Sequence, residues 1–134
     1  MILYRSGYRY QLHKTYRAQT ELRPDSDIWY EWGSITREGL LEIKKHYAWD
    51  GPSGPAMDTR NAMRGSLIHD CLYQLLRLGK LPESFRAAAD REYQRICRED
   101  GMSAMRAWVH FTALRKFAAG AADPKSERQV LVAP

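Results

Sequence analysis

The 134-residue sequence contains only two cysteines, Cys71 and Cys97, and no Cys-x-x-Cys pair. This excludes a disulfide framework and gives no signal of zinc or thiol redox chemistry. The sequence also lacks any run of about 18 apolar residues, and its N-terminus lacks the apolar stretch of a secretion signal. We expect neither a signal peptide nor a transmembrane segment. The compartment is then reducing, or the fold does not need disulfides.

Several chemical motifs are also absent. No Gly-x-Ser-x-Gly or Cys-His arrangement indicates a nucleophile, and no glycine-rich phosphate loop follows a strand. Acidic residues are in the minority, since 21 Lys and Arg against 16 Asp and Glu give a net charge of +5. Most of the excess lies in residues 58–117, with 11 basic and 7 acidic side chains. Such a helical part suits an anionic partner such as nucleic acid or an anionic lipid surface, but a solvated face is commoner. Nucleic-acid binding is the weakest of these interpretations.

Composition changes near residue 57. Six of the eight tyrosines and three of the four tryptophans precede it, and all three phenylalanines follow it. Aromatic residues favour strands, and Ala, Leu, Arg and Glu favour helices. We expect an α+β fold, with N-terminal antiparallel strands followed by a three-helix C-terminal part whose two central helices are antiparallel. Residues 1–120 form one domain, mainly β over 1–49, loop over 50–57 and helical over 58–118, and residues 121–134 form an extended tail.

Three or four short strands are expected in the first part. Tyr8, Tyr10 and Leu12 alternate with polar residues, and further strands are expected over 28–32, after the turn at 23–27, and over 40–47.

Three helices are expected in the second part. The first is capped at Asp58 or Thr59 and stops at Gly79, the second covers about 83–99, and Ser103 caps the third. In the third helix the expected buried side chains are four large apolar residues and one threonine, namely Met105, Trp108, Val109, Thr112 and Phe117.

The chemically informative segment lies on the first helix. His69 and Tyr73 stand one helical turn apart on one face, with Asp70 beside them. Asp90, flanked by alanines on the second helix, can accept the N–H of one His69 ring nitrogen and leave the other nitrogen as a base. Taken alone, His69 is more often a satisfied buried polar group than a catalyst.

The preceding loop, residues 50–55, holds two prolines and two glycines. It can turn successive backbone carbonyls toward one point, where Asp70 adds a carboxylate. Oxygen-only ligands are typical of a hard cation, most often calcium, which polarises an ester carbonyl.

His69-Asp70-x-x-Tyr73, the turn Gly79-Lys80-x-Pro82 and Ala89-Asp90 together resemble the phospholipase A2 superfamily, especially the phospholipase domain of parvovirus capsid proteins. The resemblance implies a calcium-dependent lipid ester hydrolase. It implies that His69 is the base, Asp90 its orienting partner and Tyr73 a hydrogen-bond partner of Asp90. Its implied calcium ligands are the carboxylate of Asp70 and the carbonyls of Trp49, Gly51 and Ser53.

Two residues depart from the phospholipase pattern. Ser53 stands where the phospholipases usually have glycine, and Asp50 has no counterpart in their motif. Asp50 would then either strengthen the metal site or replace part of it.

A second resemblance covers residues 28–118. Asp50-Gly51-x-Ser53, the His69 helix, Ala89-Asp90 and Ala107-Trp108-x-x-Phe111 are similar to a domain family of unknown function from bacteriophages and prophages. It implies a phage-associated protein, located in the virion or the host cytoplasm, and no particular activity.

Two alternatives remain. A metal phosphohydrolase would use His46, His69, Asp70 and Asp90. That family is helical throughout, however, and His46 is expected on a strand. His13 and His110 are expected at the surface or in packing.

The stronger alternative is a non-enzymatic virion or assembly protein, such as a tail, baseplate or adaptor component, in which the His-Asp-Tyr network is structural. The expected partners are accordingly a phospholipid membrane surface or phage structural proteins, and the sequence does not indicate an oligomeric state.

Overall fold

The computed structural model describes residues 2–4, 10–49, 59–124 and 131–133, with the backbone alone described for the first and last of these ranges. The fold is α+β, as predicted: antiparallel strands come first and helices follow. The strands are β1 (Ile2–Tyr4), β2 (Tyr10–Gln11), β3 (Tyr16–Gln19), β4 (Ile28–Tyr30), β5 (Gly33–Ile35), β6 (Leu40–Ile43), β7 (Ala48–Trp49) and β8 (Leu131–Ala133). The helices are α1 (Arg60–Arg77), α2 (Arg86–Glu99), α3 (Ala104–Phe117) and α4 (Ala119–Ala122), with a 3-10 turn at Glu83–Phe85.

The central sheet has four strands in the order β3-β6-β5-β4. All of its pairs are antiparallel. Two smaller antiparallel pairs join β2 to β7 and β1 to β8. Residues 121–134, expected as an extended tail, therefore include the end of α4 and a strand that pairs with the N-terminal segment.

Local signals explain where the helices begin and end. Thr59, in extended conformation, precedes α1, and Gly79 takes a positive φ of 72° just after it. Ser103 caps α3 by accepting a hydrogen bond from the backbone N–H of Arg106. The positions of these ends agree with the expectations from the sequence, although the Thr59 side chain makes no capping hydrogen bond and Asp58 lies outside the described residues.

α1 lies between the sheet and the other helices. Its apolar side chains join those of the sheet in one buried cluster, which includes Ile35, Leu41, Ile43, Leu72 and Leu75. Contacts between α1 and α2 run in opposite order along the two helices: Arg64 pairs with Asp100, His69 with Asp90 and Arg86 with Tyr73. The two helices are therefore antiparallel.

The expected buried side of α3 is wrong. Met105, Trp108, Val109 and Phe117 are exposed. The side chains that face the protein are instead Ala107 and His110, with Leu114 half-buried. His110 forms a hydrogen bond with Tyr93 of α2, and Ala107 is small enough for a close approach. The inward side of α3 thus combines a small residue, a polar contact and one half-buried leucine, and the larger apolar side chains of the helix remain outside.

Candidate functional site

His69 and Tyr73 occupy one side of α1. They are four residues apart, so their rings stack on each other, with centroids 4.1 Å apart and planes inclined at 36°. Both are buried, with 6% of His69 and 2% of Tyr73 exposed. The helix thus holds both rings in fixed positions.

α2 brings Asp90 against these two rings. Its carboxylate is fully buried, and its Oδ1 accepts hydrogen bonds from His69 Nε2 at 2.7 Å and from the Tyr73 hydroxyl at 2.6 Å. The approach of the helices is close because Gly65 lies on α1 where a Cβ would meet Cys97 Sγ at 2.8 Å. The structure therefore brings together the three residues that the sequence predicted as a catalytic group.

Two arginines complete the network, and sequence reasoning missed both. Arg115 of α3 donates to Asp90 Oδ2 at 2.8 Å. Arg86 donates to the Tyr73 hydroxyl at 3.1 Å and to the backbone carbonyls of Leu114 and Arg115 at 2.8 and 3.1 Å. Both Asp90 oxygens thus accept hydrogen bonds, and residues of α1, α2 and α3 all take part. An arginine on a helix is usually solvated, so the sequence carried no signal for this role.

The charges of this network are coupled. Burial by itself raises the pKa of Asp90, but hydrogen bonds from His69 and Tyr73 and the nearby Arg115 hold that pKa below its usual value. Burial lowers the pKa of His69, and the carboxylates of Asp70 and Asp90 outweigh burial and raise it above 6.5. Burial, reinforced by Asp90, raises the pKa of Tyr73. Asp90 is consequently an anion, and Tyr73 keeps its proton.

Asp70 lies on the other side of the His69 ring. One of its oxygens is 3.9 Å from His69 Nδ1, the nitrogen that does not face Asp90, and 36% of its side chain is exposed. His69 Nδ1 is therefore next to the most exposed carboxylate of the group. A base at Nδ1 would act on this side of the ring.

The start of the predicted calcium loop lies near α1. Trp49 is buried and its indole N–H donates to the Ser66 hydroxyl at 3.1 Å, one helical turn before Asp70. Asp50, Gly51 and Ser53 lie outside the described residues. In the described part of the chain no group of three or more His, Cys, Asp or Glu side chains could hold a metal ion. The predicted phosphohydrolase ligands His46, His69, Asp70 and Asp90 are all among the described residues, and they form no such metal-binding group.

The remaining histidines differ from one another. His46 lies in an exposed turn with a positive φ of 78°, and not on a strand as expected. His13 is exposed, whereas His110 is buried and its Nδ1 is 2.8 Å from the Tyr93 hydroxyl. The Tyr93 ring also packs edge-on against His69, with ring centroids 5.6 Å apart. His110 therefore supports the residue that borders His69.

No described helix is long and apolar enough to cross a bilayer. Comparisons with family models, curated proteins and solved structures find no match for this chain.

Proposed function

We propose that this chain is a bacteriophage-associated hydrolase of lipid esters, with a phospholipase A2-like site in which His69 is the general base. One observation carries the proposal: His69 is held through Nε2 by a buried carboxylate, and its Nδ1 lies toward the partly exposed Asp70. A base needs one fixed nitrogen and one nitrogen turned toward the reacting group. This arrangement meets the first requirement and orients the ring for the second.

In the proposed reaction, His69 Nδ1 accepts a proton from a water molecule as the water oxygen attacks the ester carbonyl carbon. The bond between this carbon and the alkoxy oxygen then breaks, and the proton passes from His69 to the departing alkoxide. The products are a free carboxylic acid and an alcohol. Asp90 stabilises the protonated ring during this cycle, and Tyr73 and Arg115 keep the Asp90 carboxylate in place.

A calcium ion fits the donor chemistry of this region. Asp70 offers a carboxylate that reaches the surface, and Trp49, the first of the proposed carbonyl ligands, is held to α1 by the hydrogen bond from its indole to Ser66. Asp70, with Asp50 and the carbonyls of Trp49, Gly51 and Ser53, would hold the ion. When bound, it would supply positive charge for the developing oxyanion. The protein side chains perform the proton transfers.

A second candidate is a non-enzymatic virion or assembly protein, such as a tail, baseplate or adaptor component. The observation that favours it is the complete burial of Asp90, whose donors come from α1 and α3. A network of this kind can fix the arrangement of three helices without any chemistry. Its partners would be other phage structural proteins. Both candidates agree with a virion or host-cytoplasm location.

The test is fatty-acid release from mixed phospholipid vesicles with calcium and with chelator. We expect release by the wild-type protein, loss of release in His69→Gln and Asp70→Asn, and no loss in His13→Gln, which replaces an exposed histidine. Circular dichroism establishes that each variant is folded. Absence of release by the wild-type protein on every lipid tested, together with absence of calcium binding by calorimetry, refutes the proposal and leaves the structural candidate.

A further inference from the structure

The outward face of α3 is apolar. Met105, Trp108 and Val109 are exposed by 78%, 59% and 50%. Because they are three and four residues apart, they form one continuous surface on the side opposite Ala107 and His110. A tryptophan flanked by two further exposed apolar side chains on a single helix face is a typical interaction surface.

The charged side chains on the segment between Asp100 and Asp123, which carries this surface, have one sign. Residues 101–122 contain Arg106, Arg115 and Lys116 and no Asp or Glu. Lys116 is eleven residues after Met105, about three helical turns, so it lies on the same face of α3. An apolar helix face that contains tryptophan, on a segment whose charges are all positive, is complementary to the surface of an anionic bilayer, where tryptophan rings lie at headgroup depth.

A second exposed tryptophan provides a contrast within the molecule. Trp29 on β4 is 67% exposed, but residues 24–36 around it contain Asp25, Asp27 and Glu31 and no Lys or Arg. Even with Arg23 and Arg37 at its two ends, this segment has an excess of acidic side chains and is a poorer match for an anionic membrane. Exposure of a large aromatic side chain therefore does not by itself identify a membrane-binding surface. Trp108 differs from Trp29 in the sign of the charges on the neighbouring residues.

We propose that the outward face of α3, formed by Met105, Trp108, Val109 and Lys116, docks onto an anionic phospholipid surface. Trp108 and Arg115 lie on the same side of α3, seven residues and about 10.5 Å apart along the axis. Arg115 contacts Asp90, so docking places the membrane beside the helix that completes the His69 network. The inference rests on the proposed function for its purpose, which is delivery of lipid esters to His69, but docking itself needs no catalysis.

The test is co-sedimentation of the full chain with vesicles of ether-linked phospholipids in chelator, which separates binding from hydrolysis. We expect binding to vesicles that contain phosphatidylglycerol, and weaker binding to phosphatidylcholine alone or at high salt. Trp108→Ser and Lys116→Glu should each weaken binding to the anionic vesicles by about tenfold. The matched control Trp29→Ser should bind as the wild type does, and circular dichroism establishes that all four proteins are folded.

Three results would overturn the inference. The first is no wild-type binding to anionic vesicles, and the second is an equal loss of binding in Trp29→Ser and Trp108→Ser. The third is vesicle-independent self-association that Trp108→Ser abolishes, which would identify the face as a contact between copies of this chain. Binding to anionic vesicles without any ester cleavage would support the docking proposal and refute only the proposed hydrolase activity. The two proposals can therefore fail independently.

Discussion

The two sides of α1 are both buried, but they differ in chemistry. Toward the sheet, the helix packs aliphatic side chains such as Leu72 and Leu75 against Ile35 and Ile43. Toward α2 and α3, it presents His69 and Tyr73 to the ionised Asp90. Burial of apolar area stabilises a fold directly, whereas a buried ion network roughly balances desolvation against attraction. On this argument the sheet side supplies most of the stability, whereas the network on the α2 side adds little net stability.

The largest effect is expected from removal of the central carboxylate. Asp90→Ala leaves the donors of His69, Tyr73 and Arg115 without their acceptor, and we expect it to lower the free energy of unfolding by about 3–5 kcal/mol. Urea denaturation measures this change. The control Asp25→Ala replaces an exposed carboxylate and should stay within about 0.5 kcal/mol of the wild type. Equal stability of Asp90→Ala and the wild type would show that the network is not formed.

Shortening a buried side chain on the sheet side of α1 should lower the free energy of unfolding without changing the His69 network. Ile43 is fully buried, so Ile43→Ala should cost about 2–5 kcal/mol of unfolding free energy through the lost contacts and the cavity left behind. Below its melting temperature the variant should keep wild-type ester hydrolysis per molecule. Loss of ester hydrolysis by folded Ile43→Ala would contradict the inference that the two sides of α1 act independently.

The close approach of α1 and α2 gives a third, smaller effect. Gly65→Ala adds a methyl group that would lie 2.8 Å from Cys97 Sγ and 3.3 Å from the Tyr93 ring. This overpacking should lower the free energy of unfolding by about 1–3 kcal/mol, despite the better helix propensity of alanine. The double variant with Cys97→Ala removes the nearer obstacle and should recover part of the loss. A double-mutant cycle measured in urea tests this coupling; additive single effects would contradict the packing argument.

The smallest effect concerns pH, for which the two buried histidines differ. The pKa of His69 is raised above 6.5, so its contribution to stability is complete below pH 6.5 and is lost as the pH rises through its folded-state pKa. Burial, together with Arg106, lowers the pKa of His110, so stability is lost as the pH falls below 6.5. We expect the wild-type unfolding free energy to decline on both sides of about pH 6.5.

Single variants separate the two declines. His69→Gln should abolish the loss on the alkaline side, and His110→Gln the loss on the acidic side, both measured as urea midpoints across the pH range. If each variant removed the decline assigned to the other histidine, the pKa directions of both groups would be wrong.

The sequence predicted the features that depend on local signals. The cap at Ser103, the stop at Gly79 and the spacing of His69 and Tyr73 are properties of a few neighbouring residues, and all three appear in the structure. The pairing with Asp90 followed from a motif spacing that two antiparallel helices bring into contact. The α+β class followed from the change in composition near residue 57.

The missed features depend on tertiary contacts. Strands β3 and β5 were not predicted, because Tyr16–Gln19 and Gly33–Ile35 are short and acquire their pattern only by pairing with β6. α3 was assigned the wrong buried side, because Tyr93 offers a partner to His110 that no helix pattern reveals. Arg115 was missed for the same reason, since its carboxylate partner is 25 residues away.

In the proposed hydrolase, the buried network of His69, Asp90 and Arg115 serves the chemistry and not the stability of the fold. The most direct test is the unfolding free energy of a variant in which apolar residues replace Asp90 and the three side chains that donate to it: His69→Leu, Tyr73→Phe, Asp90→Leu and Arg115→Met. We expect this variant to be at least as stable as the wild type, because the buried carboxylate is removed together with the three side chains that donate to it. A loss of more than about 3 kcal/mol would contradict the claim and make the network a structural element.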